Sequence, residues 1–442
     1  MQIPSDAASP LARIYTEAAS LINSAGYPDG TRERAEFILT YLYTNILRAY
    51  SLTQTRIDTI FTNGRYNCVS SAVLFMIFCE YAGIDSSGVI TRDHALLTVH
   101  IDGEDIDVET TNRYGFDPGN RREFHDQFGR LTGFSYVPAR NYRDRQTISK
   151  LELISIILNN RISDLENQGR WAEAVPLAID RAALLYGNSL NMPEGNVASQ
   201  SDTHSDLFPD PRSDLMDRLF NYGVFLLRAN REDDCLLWAA AASSIYPDEE
   251  RWQEFINTAV NNRVARFLRD RRLTDARNFL DNNKNKLDEE SYAQLDTAII
   301  DTDLLDRANR ITGISDSNVV ISAVLQARNA GKIGTPRAAE ILTFAIQKTA
   351  AALSAAPARD WRAAVTFLEN AILVYGTNRE LEQSLQGYKS NLAADYHNRF
   401  AAEWNKRNFD EAERILNEGL AEFPDNRQLL SDREIADRQR GR

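Results

Sequence analysis

Asn67-Cys68-Val69-Ser70-Ser71-Ala72-Val73-Leu74-Phe75-Met76-Ile77-Phe78-Cys79-Glu80-Tyr81-Ala82-Gly83 is the stretch whose reading decides the fold. It is apolar nearly all the way round a helix, which predicts a central helix covered on most sides. Asn67 supplies an N-cap and Gly83 a stop. Downstream, His94-Ala95-Leu96-Leu97-Thr98-Val99-His100-Ile101, the turn Asp102-Gly103, and Ile106-Asp107-Val108-Glu109-Thr110-Thr111 alternate in the way of a β-hairpin. With Asp102-Gly103 as the turn residues, His94 faces Thr111, Leu96 faces Glu109 and Thr98 faces Asp107. A turn at Gly103-Glu104 instead sets Thr98 opposite Glu109 and His100 opposite Asp107. Both registers predict His94, Asp107 and Glu109 on one face, with Ala95, Leu97, Val99, Ile101, Ile106 and Val108 on the apolar other.

This arrangement suggests thiol chemistry. A cysteine attacks as its thiolate, which the unpaired N–H groups and dipole of a helix start favour. Cys68 sits at such a start, with a histidine and carboxylates on the following sheet as base and orienting acid. Position alone fits equally a small buried core cysteine. Cys79, mid-helix between Met76 and Tyr81, reads as core. His100, beside the turn, reads as a solvated histidine. His94, His100 and Asp107 match no standard zinc spacing, and no metal or cofactor is expected. His125, His204 and His397 have no partner set.

The order of these residues carries a resemblance. Asn63-Gly64-Arg65-Tyr66-Asn67-Cys68, the apolar helix ending Tyr81-Ala82-Gly83-Ile84, and then His94-Ala95 with its hydrophobic strand resemble the transglutaminase-like superfamily of papain-type folds over about residues 31–115. The resemblance implies a cysteine nucleophile at Cys68 and a histidine base at His94. That family's closing strand usually reads Val-Asp-Pro-Thr, where this chain has Val108-Glu109-Thr110-Thr111. Glu109 then stands in the place of the orienting aspartate, with Asp107 as its competitor.

Outward from this core, helices are expected over 11–22, 32–47 and 56–61, and strands over 89–91 and 133–138. From 148 to the end the pattern is helical and repeated. Asn221-Tyr222-Gly223 followed by Leu226, Cys235, Ala239, Ala242 and Pro247 has the spacing of a tetratricopeptide repeat. Partial copies are Trp171, Ala174, Ala178; Leu273, Ala276, Leu280; Trp361, Ala364, Leu368, Ala371; and Phe409, Ala412, Leu416, Gly419, Pro424. Over roughly 148–430 the chain resembles the tetratricopeptide family, which implies a solenoid whose concave face holds a protein or peptide partner. The expected fold is multidomain: a transglutaminase-like α+β domain at 1–146, then an all-α tetratricopeptide-like solenoid at 147–442 with a mobile loop at about 188–212.

Composition narrows the function. The chain has 442 residues and a net charge of -13, with no basic run. Such a surface lacks the cationic patch that nucleic acids and anionic membranes require, and neither is an expected partner. The longest purely apolar run, 72–79, is too short to span a bilayer. Cys68 and Cys79 lie roughly 16 Å apart along one helix, beyond disulfide reach. The N-terminus carries no secretory pattern, though a trimmed leader would leave the same sequence, so the compartment stays open. Two functions are expected from this sequence. One is cysteine-dependent acyl transfer on amide or peptide bonds by Cys68, His94 and Glu109 or Asp107, with a partner-binding solenoid attached. The other is a non-catalytic interaction scaffold.

Overall fold

The structure, a computed structural model, describes residues 26–120, 144–186, 210–355 and 359–440, with isolated positions 16, 19, 20, 22–24, 124 and 357. The chain forms two compact units, Met1–Arg231 and Glu232–Arg442.

In the first unit, α1 (Arg32–Asn45) starts at Thr31, whose side chain accepts from the Arg34 N–H, and buries Ala35, Ile38, Leu39 and Leu42 along one stripe. A two-residue parallel ladder, β1 (Ala49–Tyr50) with β2 (Arg65–Tyr66), brackets the short helix α2 (Ile57–Asn63). Gly64 closes α2 at φ +68°, and a Cβ there would press on the Arg48 side chain. Then comes α3 (Cys68–Tyr81), opened by a capping box in which Asn67 and Ser70 exchange hydrogen bonds of 2.8 and 2.9 Å.

Helix α3 is central as expected. It packs on α1, on strands β3 (Asp85–Ile90) and β4 (Ala95–Ile101), and on α4 (Lys150–Asn167). The sheet runs β5-β4-β3-β6 and is antiparallel throughout, with β5 at Glu104–Val108 and β6 at Gln146–Ile148. Asp102 and Gly103 both take positive φ, 52° and 79°, as a two-residue hairpin turn of this twist requires. The Asp102-Gly103 register holds, with Thr98 opposite Asp107.

Strand β3 is longer than the apolar run 89–91 suggests, because Ser86, Ser87 and Gly88 are paired on the ladder with β4. β6 has no sequence signal of its own. It pairs with β3 where Ile148 fills the space that a side chain at Gly88 would need, 2.7 Å from an ideal Cβ. The expected helix 11–22 is described at 16, 19, 20 and 22, all helical. The expected strand 133–138, His125, His204 and residues 188–209 of the expected loop lie outside the described residues.

Among the described residues three helices complete this unit: α4, α5 (Trp171–Tyr186) and α6 (Pro211–Arg228). The expected boundary at 146/147 therefore lies inside it. Leu153 on α4 is fully buried in the same apolar cluster as Phe75 and Leu97, and Ile154, Ile156 and Ile157 pack against that cluster. α6 begins inside the expected loop, since Asp210 accepts from the Ser213 N–H at 2.8 Å and Pro211 starts the helix.

The second unit is all helix. From α7 (Glu232–Ile245) through α8 (Arg251–Arg269), α9 (Leu273–Asn282), α10 (Glu289–Asn309), α11 (Ile314–Asn329), α12 (Thr335–Leu353), α13 (Trp361–Tyr375), α14 (Arg379–Asn405), α15 (Phe409–Glu422) and α16 (Arg427–Arg440), each helix packs on the next. The alternate helices α8, α10, α12, α14 and α16 also stack on one another. Stacked helix pairs of this kind are the physical content of a helical repeat. The small residues that mark the register, Cys235, Ala239, Ala276, Ala364 and Ala412, are fully buried at helix crossings. No helix among the described residues is long and apolar enough to cross a membrane.

Candidate functional site

Cys68 is the first residue of α3, 8% exposed, where the backbone N–H groups of the first turn have no intrahelical partner. The capping box ties this helix start to the preceding loop. Asn67 Nδ2 donates to the Leu52 carbonyl at 3.2 Å, and the Ser70 hydroxyl donates to the Gln54 carbonyl at 3.0 Å. His94 arrives from the turn between β3 and β4, held by the Thr91 N–H donating to its carbonyl at 2.9 Å. Its side chain hydrogen-bonds Cys68, and its Nε2 meets Glu109 Oε2 at 2.6 Å. With Nε2 committed to Glu109, Nδ1 is the nitrogen left for the sulfur.

Glu109 is completely buried and fully partnered. Its Oε1 accepts from the Thr111 N–H at 2.9 Å and from the Thr111 hydroxyl at 2.6 Å. Thr110 pins the same segment to α3, its hydroxyl 2.9 Å from that of Ser71, while its carbonyl accepts from Tyr43 at 2.9 Å. The helix that starts at Cys68 and the loop that carries Glu109 are thus one hydrogen-bonded block.

Burial works against a charged imidazole at His94 and is the largest single influence on it. The Glu109 carboxylate and the hydrogen bonds to Cys68 and Glu109 outweigh it, so the imidazole titrates well above its ordinary value near 6.5. Tyr50 adds a partner that sequence reading missed. Burial first, then the neighbouring Cys68 and Glu109, push its phenol well above the ordinary value near 10, so it stays protonated beside the Cys68 sulfur. A tyrosine in a two-residue strand carries no recognisable signal.

Asp107 is elsewhere. Arg145 grips it with both guanidinium nitrogens at 2.6 and 2.8 Å, and Thr98 donates to it at 2.9 Å, on the sheet face away from α3. The shared face expected for His94, Asp107 and Glu109 does not form, and the reason is local. β4 starts at Ala95 and β5 ends at Val108, so strand alternation reaches neither His94 nor Glu109. Beyond Val108 the chain turns: the Glu109 N–H donates to the Gly115 carbonyl at 2.8 Å, and the carboxylate swings to the helix side. Asp107→Asn should therefore loosen Arg145 and leave the alkylation rate of Cys68 within about twofold of wild type, because the pair sits on the sheet face away from Cys68.

Gly115 sets that turn. An ideal Cβ on it would lie 1.8 Å from the Glu109 carbonyl oxygen, so no side chain fits without moving the Glu109 backbone. Gly115→Ala is expected to destabilise the protein by about 2 kcal/mol or more in chemical denaturation. It should also slow Cys68 alkylation, which separates it from a purely remote packing defect.

Cys68 and His94 open on a cleft of about 710 Å³ whose far side is built by α4, α5 and α6. Ser87, His100 and Asp105 also form a hydrogen-bonded row, at 3.0 and 2.6 Å, on the exposed sheet face. They lie outside the cleft. His397 pairs with Asp432 at 2.7 Å in the second unit. Cys79 and Cys235 are buried with their thiols raised, Cys235 to about 11 by burial and then Glu232. Among the described residues no group of three or more His, Cys, Asp or Glu is placed to hold a metal ion.

No family model matches the chain, and no curated protein matches it. A solved complex described as Naa15/Naa10 bound to HypK-THB is similar at 13% identity and a TM-score of 0.16, over 72% of this chain and 42% of that one. This chain thus spans less than half the length of that protein. A superposition at that score carries no argument about fold or activity, and the helical repeat stands on the packing of its own helices.

Proposed function

We propose that this chain is a helical-repeat binding protein whose first unit carries a transglutaminase-like thiol site for acyl transfer on amide or peptide bonds. The observation that carries the reading is the hydrogen-bonded row Cys68–His94–Glu109, set at a helix start and open to a cleft. In this reading the Cys68 sulfur attacks the substrate carbonyl and a C–S bond forms. The developing oxyanion meets the Cys68 backbone N–H. As the C–N bond breaks, His94 delivers its proton to the leaving amine, with Glu109 holding the ring. Water or a second amine then attacks the thioester, giving its proton to His94 and releasing the thiolate.

The experiment is competitive alkylation with iodoacetamide near pH 6, read peptide by peptide. Cys68 should react on the order of 30- to 100-fold faster than a free thiol, with Cys79 and Cys235 as internal unreactive controls. A Cys68 as inert as Cys79 would remove the catalytic half of the proposal.

A second reading, a scaffold without turnover, is favoured by an apolar groove of about 460 Å³ in the second unit between α11 and α13. Ile314, Phe367 and Val374 line it, and Val374 is 67% exposed; such a patch commonly marks a binding surface. A Cys68→Ala chain that keeps every cellular role of the wild type would favour that reading.

A further inference from the structure

The wall of the cleft opposite Cys68 is a helix outside the transglutaminase-like stretch. Ile156, Asn160, Ser163 and Asn167 of α4 line it at spacings of four, three and four residues, which places them in one stripe on a single helix face. Asn160 reaches across to Thr55 at 3.5 Å, joining this wall to the loop that braces the Asn67 cap. Among the described residues the side chains of Ser163 and Asn167 have no hydrogen-bond partner. The stripe rises about 16 Å along the helix axis, the reach of about five residues of extended chain.

The charges in the same cleft cancel locally. Arg161 pairs with Asp164 at 2.8 Å; Arg181 and Arg218 share Asp214 at 2.8 and 2.9 Å, and Arg218 also takes Glu166 at 2.8 Å; Arg56 pairs with Asp58; and Arg92 and Asp93, of opposite charge, line the cleft side by side in the chain. What the wall offers a ligand is therefore neutral amide and hydroxyl groups that both donate and accept, which is the complement of a peptide backbone.

We infer that α4 is the substrate-selecting wall of the thiol site: Asn160, Ser163 and Asn167 hold an extended, uncharged polypeptide segment by its main chain across from Cys68. This rests on the acyl-transfer reading for its purpose, but its binding prediction needs no turnover.

The test uses the full chain carrying Cys68→Ala and a fluorescein-labelled twelve-residue peptide without charged side chains, followed by anisotropy. Adding Asn160→Ala and Asn167→Ala together should weaken binding about 10-fold or more, at roughly one hydrogen bond each. Asn167→Leu alone, at an exposed position that folding does not depend on, should weaken it about 3- to 5-fold. Raising salt from 50 to 500 mM should change the affinity less than about twofold, because screening acts on net charge. No binding to Cys68→Ala, equal binding by the asparagine variants, or a tenfold loss in salt would each overturn the inference. Alkylation of Cys68 in chains carrying only the asparagine substitutions reports separately on the thiol site. Fast labelling with unchanged peptide binding sinks the wall and spares the chemistry, while an inert Cys68 sinks the chemistry alone.

Discussion

His94→Ala is expected to slow iodoacetamide labelling of Cys68 near pH 6 by about 100-fold, and to lower any acyl transfer by about 1,000-fold or more. In the wild type the imidazolium is sustained well above pH 6.5 by Glu109 and lies hydrogen-bonded to the sulfur, so a thiolate has its counter-charge in place across neutral pH. Without the imidazole the sulfur keeps only the helix start and the neighbouring Tyr50 hydroxyl. Cys79 reports on the fold in the same digest. It is buried at the centre of α3, and if it stays unlabelled the loss at Cys68 comes from the missing imidazole rather than from unfolding. Equal rates for wild type and His94→Ala would mean that the pair does not act as one.

Glu109→Gln carries the largest expected cost in stability. It removes the charged partner of a histidine that is only 10% exposed, and it disturbs three hydrogen bonds to a carboxylate with no access to water. Breaking one side of a buried pair costs about 3 kcal/mol, and chemical denaturation near pH 6 should read that difference. The direction of its pH dependence follows from His94. Its value in the folded state is raised above that of the unfolded chain, so the pair's contribution is fully present below about pH 6.5 and is lost as pH rises through the raised value. The gap between wild type and Glu109→Gln should thus be widest on the acid side and narrow toward alkaline pH. A gap independent of pH would assign the loss to packing alone.

Asp107 and Glu109 illustrate how far a pattern reaches. They sit two residues apart with the same chemistry, and strand parity places them on one face. Only Val108 divides them in the structure, yet Asp107 answers to Arg145 on one side of the sheet and Glu109 to His94 on the other. What separates them is the turn that begins at Glu109 and closes on Gly115. Its glycine matters only because two backbone segments touch, and no periodicity encodes such a touch.

By itself the sequence determined what local chemistry dictates. An apolar run bounded by Asn67 and Gly83 has to be a buried helix, Asp102-Gly103 has to turn, and small residues recurring through the second half have to mark helix crossings. Cys68 and His94 stood out as candidates from their places at the ends of elements, while sequence alone left Glu109 and Asp107 open against each other. Tertiary structure alone decided the rest. Tyr50 stands beside Cys68 because a two-residue parallel ladder puts it there. Thr111 holds Glu109 because the chain doubles back after β5. α4 faces the thiol because its other face shares the apolar cluster of α3 and the sheet, and burial of that face fixes where its polar stripe must point.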